Sequence, residues 1–228
     1  MKKIILLLSF AVAFSSCQNE VEFNNPALQA SINNVFWKSN STAAVKSATG
    51  ALKIYGRGQT GDLTLDLASA NVGTYEFGTT NQSNQVTFLQ IGNGGSEFGT
   101  GLNANPANSI SLAAGGSNYV ASDSESTTGG TGTGLKVKTT VSASGVITGV
   151  SIVSSGTGYV PGDIVTIIGG NQDALVRINT VANSNGKVTI TENTGVTISG
   201  TFSFIAYDEV TKQTASCRQG VFYKIPLQ

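Results

Sequence analysis

Histidine is absent from this chain of 228 residues, cysteine occurs only at positions 17 and 217, and proline only four times. Without imidazole there is no Ser-His-Asp or Cys-His nucleophile, no histidine metal site and no ordinary neutral-pH proton shuttle. Two cysteines make no cysteine-rich zinc site or disulfide framework. None is needed, because a chain of this length buries roughly 70% of its unfolded surface. Charge is sparse and balanced, thirteen basic side chains against thirteen acidic, with no basic run, so nothing recommends nucleic acid as a partner. Beyond the first residues no long segment carries a 3.6-residue apolar period, which leaves helices without support.

What is present begins at the amino end. Met1-Lys2-Lys3 is a short positive region, Ile4 to Phe14 an apolar run, and Ser15-Ser16 a pair of small residues directly before Cys17. The run is too short for a membrane-spanning helix of about 20 residues and has the layout of a secretory signal over residues 1–16. Ending at cysteine, it resembles the lipobox of bacterial lipoproteins. That resemblance implies removal of residues 1–16 and acylation of Cys17, with residues 17–26 as lipidated cysteine and tether. Two or three acyl chains anchor stably where one holds only marginally. Gln18 in place of aspartate, with Glu20 and Glu22 beyond, resembles the export signal of Bacteroidota surface lipoproteins. The implied address is the outer membrane, facing the cell exterior.

The rest alternates with period two. Leu63, Leu65 and Leu67 alternate with Thr64 and Asp66, and Leu52 with Ile54. In VTISGTFSFIAY, Val196, Ile198, Gly200, Phe202, Phe204 and Ala206 share one face. Such runs between turn residues predict an all-β antiparallel sandwich or barrel. Gly200 inside the longest run marks a close approach of another segment or a bulge. Asn185-Gly186 predicts a type I′ hairpin turn before KVTIT.

Several stretches are similar to a lipid-anchored domain of unknown function common in Bacteroidota: INNVFWKSN with Trp37, the Gly73-Thr74-Tyr75 turn after a leucine-rich strand, the strand SGTFSF from Ser199 to Phe204, and a Gly220-Val221-Phe222 ending. The resemblance implies a β fold and a surface lipoprotein and brings no catalytic residues. It is split into residues 27–128 and 183–228. Between them, residues 129–182 predict strands at Leu135–Ser142, Val146–Ser154, Asp163–Ile168 and Ala174–Val181, with turns at Ser144-Gly145 and Val160-Pro161-Gly162-Asp163. The segment SSGTGYVPGDIVTI resembles small β modules of phage structural and bacterial surface proteins, and the whole reads as a module inserted in a loop. GGTGTG at Gly129–Gly134 lacks the spacing and the following helix of a phosphate loop and reads as a linker into that module. Residues 81–128 read as long loops around strands at Gln85–Ile91 and Ser109–Leu112.

Candidate chemistry is thin. Asp123 and Glu125 lack the spacing of a calcium loop and read as solvated; no metal or cofactor is expected. Paired carboxylates can hydrolyse glycosides without histidine, but Asp62, Asp66, Glu76, Asp163, Asp173, Glu192, Asp208 and Glu209 show no spacing that selects two. Cys217 reads as a small apolar strand residue with nothing to activate it. Among Trp37, Tyr55, Tyr119, Tyr159 and Tyr207, most are expected in cores. Tyr207, opposite Phe202 and Phe204 by parity, and Tyr159, beside the Pro161-Gly162 turn, are the rings expected to be exposed and to stack on a ligand. The expectation is a non-catalytic binding or structural lipoprotein, held to the membrane by Cys17, with a glycan or surface protein as partner; the alternative is a carboxylate-based glycan hydrolase.

Overall fold

Leucines at every second position of DLTLDL put three side chains on one face, all buried, while Asp62, Thr64 and Asp66 stay half-exposed. That pattern repeats around the molecule. The computed structural model describes residues 27–92 and 95–228, and among these every regular element is a strand. The signal segment, Cys17 and the tether lie outside the described residues.

The chain opens with β1 (Ala27–Ile32), β2 (Val35–Lys46), β3 (Leu52–Gly58), β4 (Gly61–Leu67), β5 (Gly73–Phe77), β6 (Gln85–Gln90) and β7 (Ser96–Gly99). Next come β8 (Ala107–Gly115), β9 (Ser122–Thr128), β10 (Thr133–Val141), β11 (Ile147–Thr157), β12 (Ile164–Ile167) and β13 (Ala174–Val181). It ends with β14 (Asn185–Asn193), β15 (Thr197–Tyr207) and β16 (Thr214–Pro226).

The first and last groups form one ten-stranded sheet, in the order β16-β1-β2-β3-β4-β6-β7-β15-β14-β5. Because β16 also pairs with β15, eight of these strands close a barrel, and β14 with β5 continues outward from β15. Its interior holds Leu28, Trp37, Ile54, Leu65, Phe88, Phe202, Phe204 and Phe222. The middle group forms a six-stranded sheet, β11-β10-β9-β12-β13-β8, around a separate core that includes Val137, Ile147, Val165 and Val176. This second barrel nearly closes: a Cβ at Gly115 on β8 would sit 2.5 Å from the Ile147 carbonyl on β11. All strand pairings within the two sheets are antiparallel.

The second sheet is contiguous in sequence, and the chain enters and leaves it through adjacent segments. Ala107 pairs with Val181, Ala182 N donates to Pro106 O at 2.9 Å, and Asn183 Nδ2 donates to Asn105 Oδ1 at 3.0 Å. Fully buried Ser184 accepts from Gly101 N at 2.9 Å and donates to Gly101 O at 2.8 Å. Asn105 and Tyr159 exchange two backbone hydrogen bonds at 2.9 and 3.0 Å, pinning the connection to the second barrel.

Several expectations shift. The second sheet starts at Ala107, so Gly129–Gly134 falls inside it, residues 129–132 as the turn between β9 and β10 and Thr133-Gly134 as the start of β10. There Thr131 gives its N–H and hydroxyl to Asp163 Oδ2 at 3.1 and 2.7 Å. Residues 122–128 form a strand where a loop was expected, because pairing with β10 and β12 replaces the absent apolar alternation. Asn185-Gly186 lies within β14; the turn falls at Ala182–Asn183. Gly73-Thr74-Tyr75 opens β5 and is not a turn. Val196 sits just before β15 and is exposed. The Val160–Asp163 turn forms as expected, closed by Asp163 N to Val160 O at 3.2 Å with Gly162 at φ +99°, the left-handed position of a type II turn.

Candidate functional site

The first barrel closes at its weakest seam between β7 and β15. Along β6, β7 pairs over its whole length, but its other edge meets β15 only at Gly99 and Tyr207. Further along β15 the same edge is taken by β14. The strands therefore separate beside that single rung, leaving an open cleft of about 530 Å³. One wall is Gln85, Val86 and Thr87 of β6 with Glu97 of β7; the connection Thr100–Asn103 and the hairpin loop after Tyr207 form the others. Thr100 fastens its wall through two bonds to Val86, N–H to carbonyl at 3.1 Å and hydroxyl from Val86 N at 3.0 Å.

Asp208 builds the hairpin loop. Its Oδ1 accepts from Val210 N at 2.8 Å and Thr211 N at 3.2 Å, an aspartate turn that fixes the first residues after a strand. Lys212 N reaches Asp208 O at 2.8 Å, and Asp208 N reaches Gln213 O at 2.9 Å. The Thr211 hydroxyl, chiefly, with those backbone N–H groups and the Ser96 hydroxyl, holds the Asp208 carboxyl below the usual aspartate range. Asp208 is 4% exposed; its own loop shields it at the edge of the molecule rather than a deep interior. Tyr207 is half-buried and forms part of the cleft lining. The Lys212 ammonium stands 5.9 Å from its ring centroid and 3.1 Å from Glu209 Oε2. The hydrogen bond that Lys212 donates to the Glu209 carboxylate raises the Lys212 pKa.

Of the two rings expected to be exposed, Tyr207 lies in the cleft and Tyr159 does not. Tyr159 is 1% exposed, and its hydroxyl accepts from Leu135 N at 3.3 Å. The ring turns inward because Gly132 leaves room: a Cβ there would come within 2.6 Å of it. Trp37 and Tyr119 are core residues, donating to Gly61 O at 2.9 Å and Ile167 O at 3.1 Å. Tyr55 faces outward from β3, away from the cleft.

The carboxylates disperse. Asp66 pairs with Lys53 at 2.9 Å, Asp123 with Lys138 at 2.6 Å, and Asp62 stands 4.0 Å from Arg57. Asp163 and Asp173 tie loops; Asp173 accepts from the Ser117 hydroxyl and N–H at 2.8 and 2.9 Å. Only Asp208 and Glu209 of the expected acids reach the cleft, joined by Glu97, which periodicity could not single out on a four-residue strand. No group of three metal-ligating side chains occurs among the described residues. Cys217 is buried in β16, and burial pushes its thiol up to about 12, so it is inert packing.

Aromatic face, hydroxyls, amides and carboxylates around a solvated cleft are the groups that hold polyhydroxylated ligands, with one ring for stacking and polar atoms for orientation. The molecule is thus an all-β protein of one closed and one nearly closed antiparallel barrel, with an open cleft at the closing seam. It belongs to the family described as Domain of unknown function (DUF6252), whose model matches twice, over residues 24–131 and 116–226. No curated protein and no solved structure matches the chain.

Proposed function

We propose that this protein is a lipid-anchored module of the outer-membrane surface, facing outward, that holds a glycan chain in the Tyr207 cleft without cleaving it. The observation that carries this reading is Tyr207 set half-buried in a cleft at the far end of β16 from Ala27. Ala27, ten positions after Cys17, pairs with Tyr223, whereas Tyr207 pairs with Thr214, nine residues back along β16. At about 3.3 Å per residue that separates Ala27 from Tyr207 by roughly 30 Å, an arrangement that suits a cleft directed away from the bilayer. The side-by-side segments that enter and leave the second barrel support its reading as an inserted unit.

Two experiments test this. Labelled palmitate is expected in the wild-type protein and not in Cys17→Ser, which leaves the membrane fraction. A glycan array probed with the full-length protein in detergent is expected to show saccharide ligands lost in Tyr207→Ala; an array blank at millimolar ligand refutes the binding role.

The presence of Glu97 and Glu209 in the same cleft gives the hydrolase alternative its one support. Against it, the Asp208 carboxyl in the same cleft is held below the usual aspartate range, opposite to the shift a general acid requires. Release of reducing sugar from a bound polysaccharide, abolished by Glu97→Gln or Glu209→Gln, would establish hydrolysis instead.

A further inference from the structure

We infer that the mouth of the first barrel, at the end where β1 turns into β2, binds an uncharged aromatic molecule of one or two rings with one hydrogen-bonding edge. The site is separate from the Tyr207 cleft and does not rest on the glycan reading. An eight-stranded barrel has room for packed side chains or for one small ligand, and barrel mouths are common ligand sites. Here a pocket of about 220 Å³ is lined by the buried rings of Trp37 and Phe88, by buried Ile32 and by Val35.

Val35 marks the site. It stands opposite Ile32 in the β1–β2 pairing, and Trp37, two positions on, stands opposite Ala30. Paired residues share a face, and so do alternate ones, so Val35 belongs to the inner face with Ala30, Ile32 and Trp37, all buried. It is nevertheless 62% exposed. Past the opposite end of β16, Leu227 packs against the core; the β1–β2 end leaves an inner-face valine open to solvent.

The walls are preformed. Asn33 and Asn34 turn the hairpin at φ +51° and +63°, as a type I′ turn requires, and Asn33 Oδ1 accepts from Ser216 N at 2.8 Å. A Cβ on Gly58 would lie 2.4 Å from Trp37 Nε1, and one on Gly61 2.6 Å from the Phe88 ring. The β3–β4 hairpin therefore lies directly on both rings and holds them. The Trp37 N–H is spent on Gly61 O at 2.9 Å, which leaves apolar ring surface for contact.

Size and chemistry select the ligand. An apolar cavity of about 150 Å³ holds benzene, so this pocket takes one ring or two fused ones. Asn33, Thr60 and Gln90 complete the lining and supply amide and hydroxyl groups for one polar edge. Among the described residues no charged side chain lines the pocket, so an ionised ligand would lose hydration without a counter-ion. A sugar would bury hydroxyls unpaired against Ile32 and Val35, whereas an aromatic ring against Trp37 and Phe88 gains beyond its buried area.

The test is calorimetric titration of the full-length protein in detergent with indole and indole-3-acetate, protein-free micelles serving as the blank. Indole is expected to saturate the protein at millimolar concentration and to bind about tenfold more tightly than the acetate. Val35→Asp is expected to weaken indole about tenfold and Gln90→Ala severalfold, while Tyr207→Ala leaves it unchanged. Melting curves are expected to show all three variants folded, since each alters an exposed or half-exposed side chain. No binding of indole, equal affinity for indole and indole-3-acetate, or binding that Val35→Asp leaves unchanged would each overturn the inference. A wild-type protein that sediments as a dimer, becomes a monomer as Val35→Asp and takes up no indole would show a second copy covering the mouth, which overturns it as well.

Discussion

Gly200 gives the sharpest test of the packing argument, because two physical effects predict opposite signs. In an open strand, Gly→Ala stabilises by about 0.5–1 kcal/mol, since alanine has less chain entropy to lose on folding. At Gly200 a Cβ would lie closer than 3.0 Å to both the Thr189 carbonyl oxygen and the Phe222 ring. Neither neighbour can retreat. Thr189 is paired on both sides, to Thr201 and to Thr74, and Phe222 is fully buried in the barrel core. Overpacking of a rigid interior costs typically 1–3 kcal/mol, and with backbone as one of the two clashing partners the upper end applies. Gly200→Ala is therefore expected to lower stability by about 3 kcal/mol. Urea unfolding followed by the fluorescence of buried Trp37 would show this as a midpoint lowered by about 1 M at an m-value near 3 kcal/mol/M. Gly195→Ala serves as the control. It has open space around it but sits at φ +81°, so about 1–2 kcal/mol of left-handed backbone cost is expected with no clash. A Gly200→Ala protein at least as stable as wild type would refute the close-approach reasoning, and with it the register of β14, β15 and β16 at this point.

Three further outcomes follow from the same geometry. At Asp163 burial raises the carboxyl pKa, but hydrogen bonds from the Thr131 hydroxyl and the Val160 and Thr131 N–H groups more than offset it; Asp173, held chiefly by Ser117, and Asp208 are lowered likewise. Folded pKa values below unfolded ones mean stability that is complete above the ordinary aspartate range and lost as the pH falls through the folded values. Denaturant midpoints should therefore hold steady from neutral pH and drop below about pH 4, with a smaller drop in Asp163→Asn; an unchanged profile in that variant would remove the loop-tie argument. Cys217, with its thiol at about 12, is expected to ignore a thiol reagent in native buffer at pH 8 and to react fully in denaturant; rapid native labelling would contradict its burial. Tyr207→Ala, at a half-exposed strand end, is expected to shift the melting temperature little while removing ligand from the cleft, and a large loss of stability would make the ring a structural part of the seam.

Alternation exposed the inner faces of β3, β4 and β15 because each has one face in a core, and Ile198 through Ala206 are buried at every second position as the pattern requires. The same reasoning failed on β9. No residue of SDSESTT is fully buried, so its strand character comes from pairing with β10 and β12 on either side. Tyr207 was legible by parity alone. The cleft was not, since it exists only where β7, four residues long, meets β15 at a single rung. Tyr159 misled because a turn residue usually faces solvent. The sign of its burial was the glycine tract Gly129–Gly134, whose Gly132 gives the ring its space. The separation into two cores was partly legible from the strands beyond Leu135, but Ala107 as the start of the second sheet depends on pairing with Val181.

The doorway between the barrels has its own consequence. Gly101 and Ser184 are 83 positions apart in sequence yet share hydrogen bonds of 2.8 and 2.9 Å, so excising what lies between them leaves two ends already within splicing distance. The second barrel is in that respect a cassette: a cell could lengthen, replace or discard it by a single genetic crossover without re-threading the host around it.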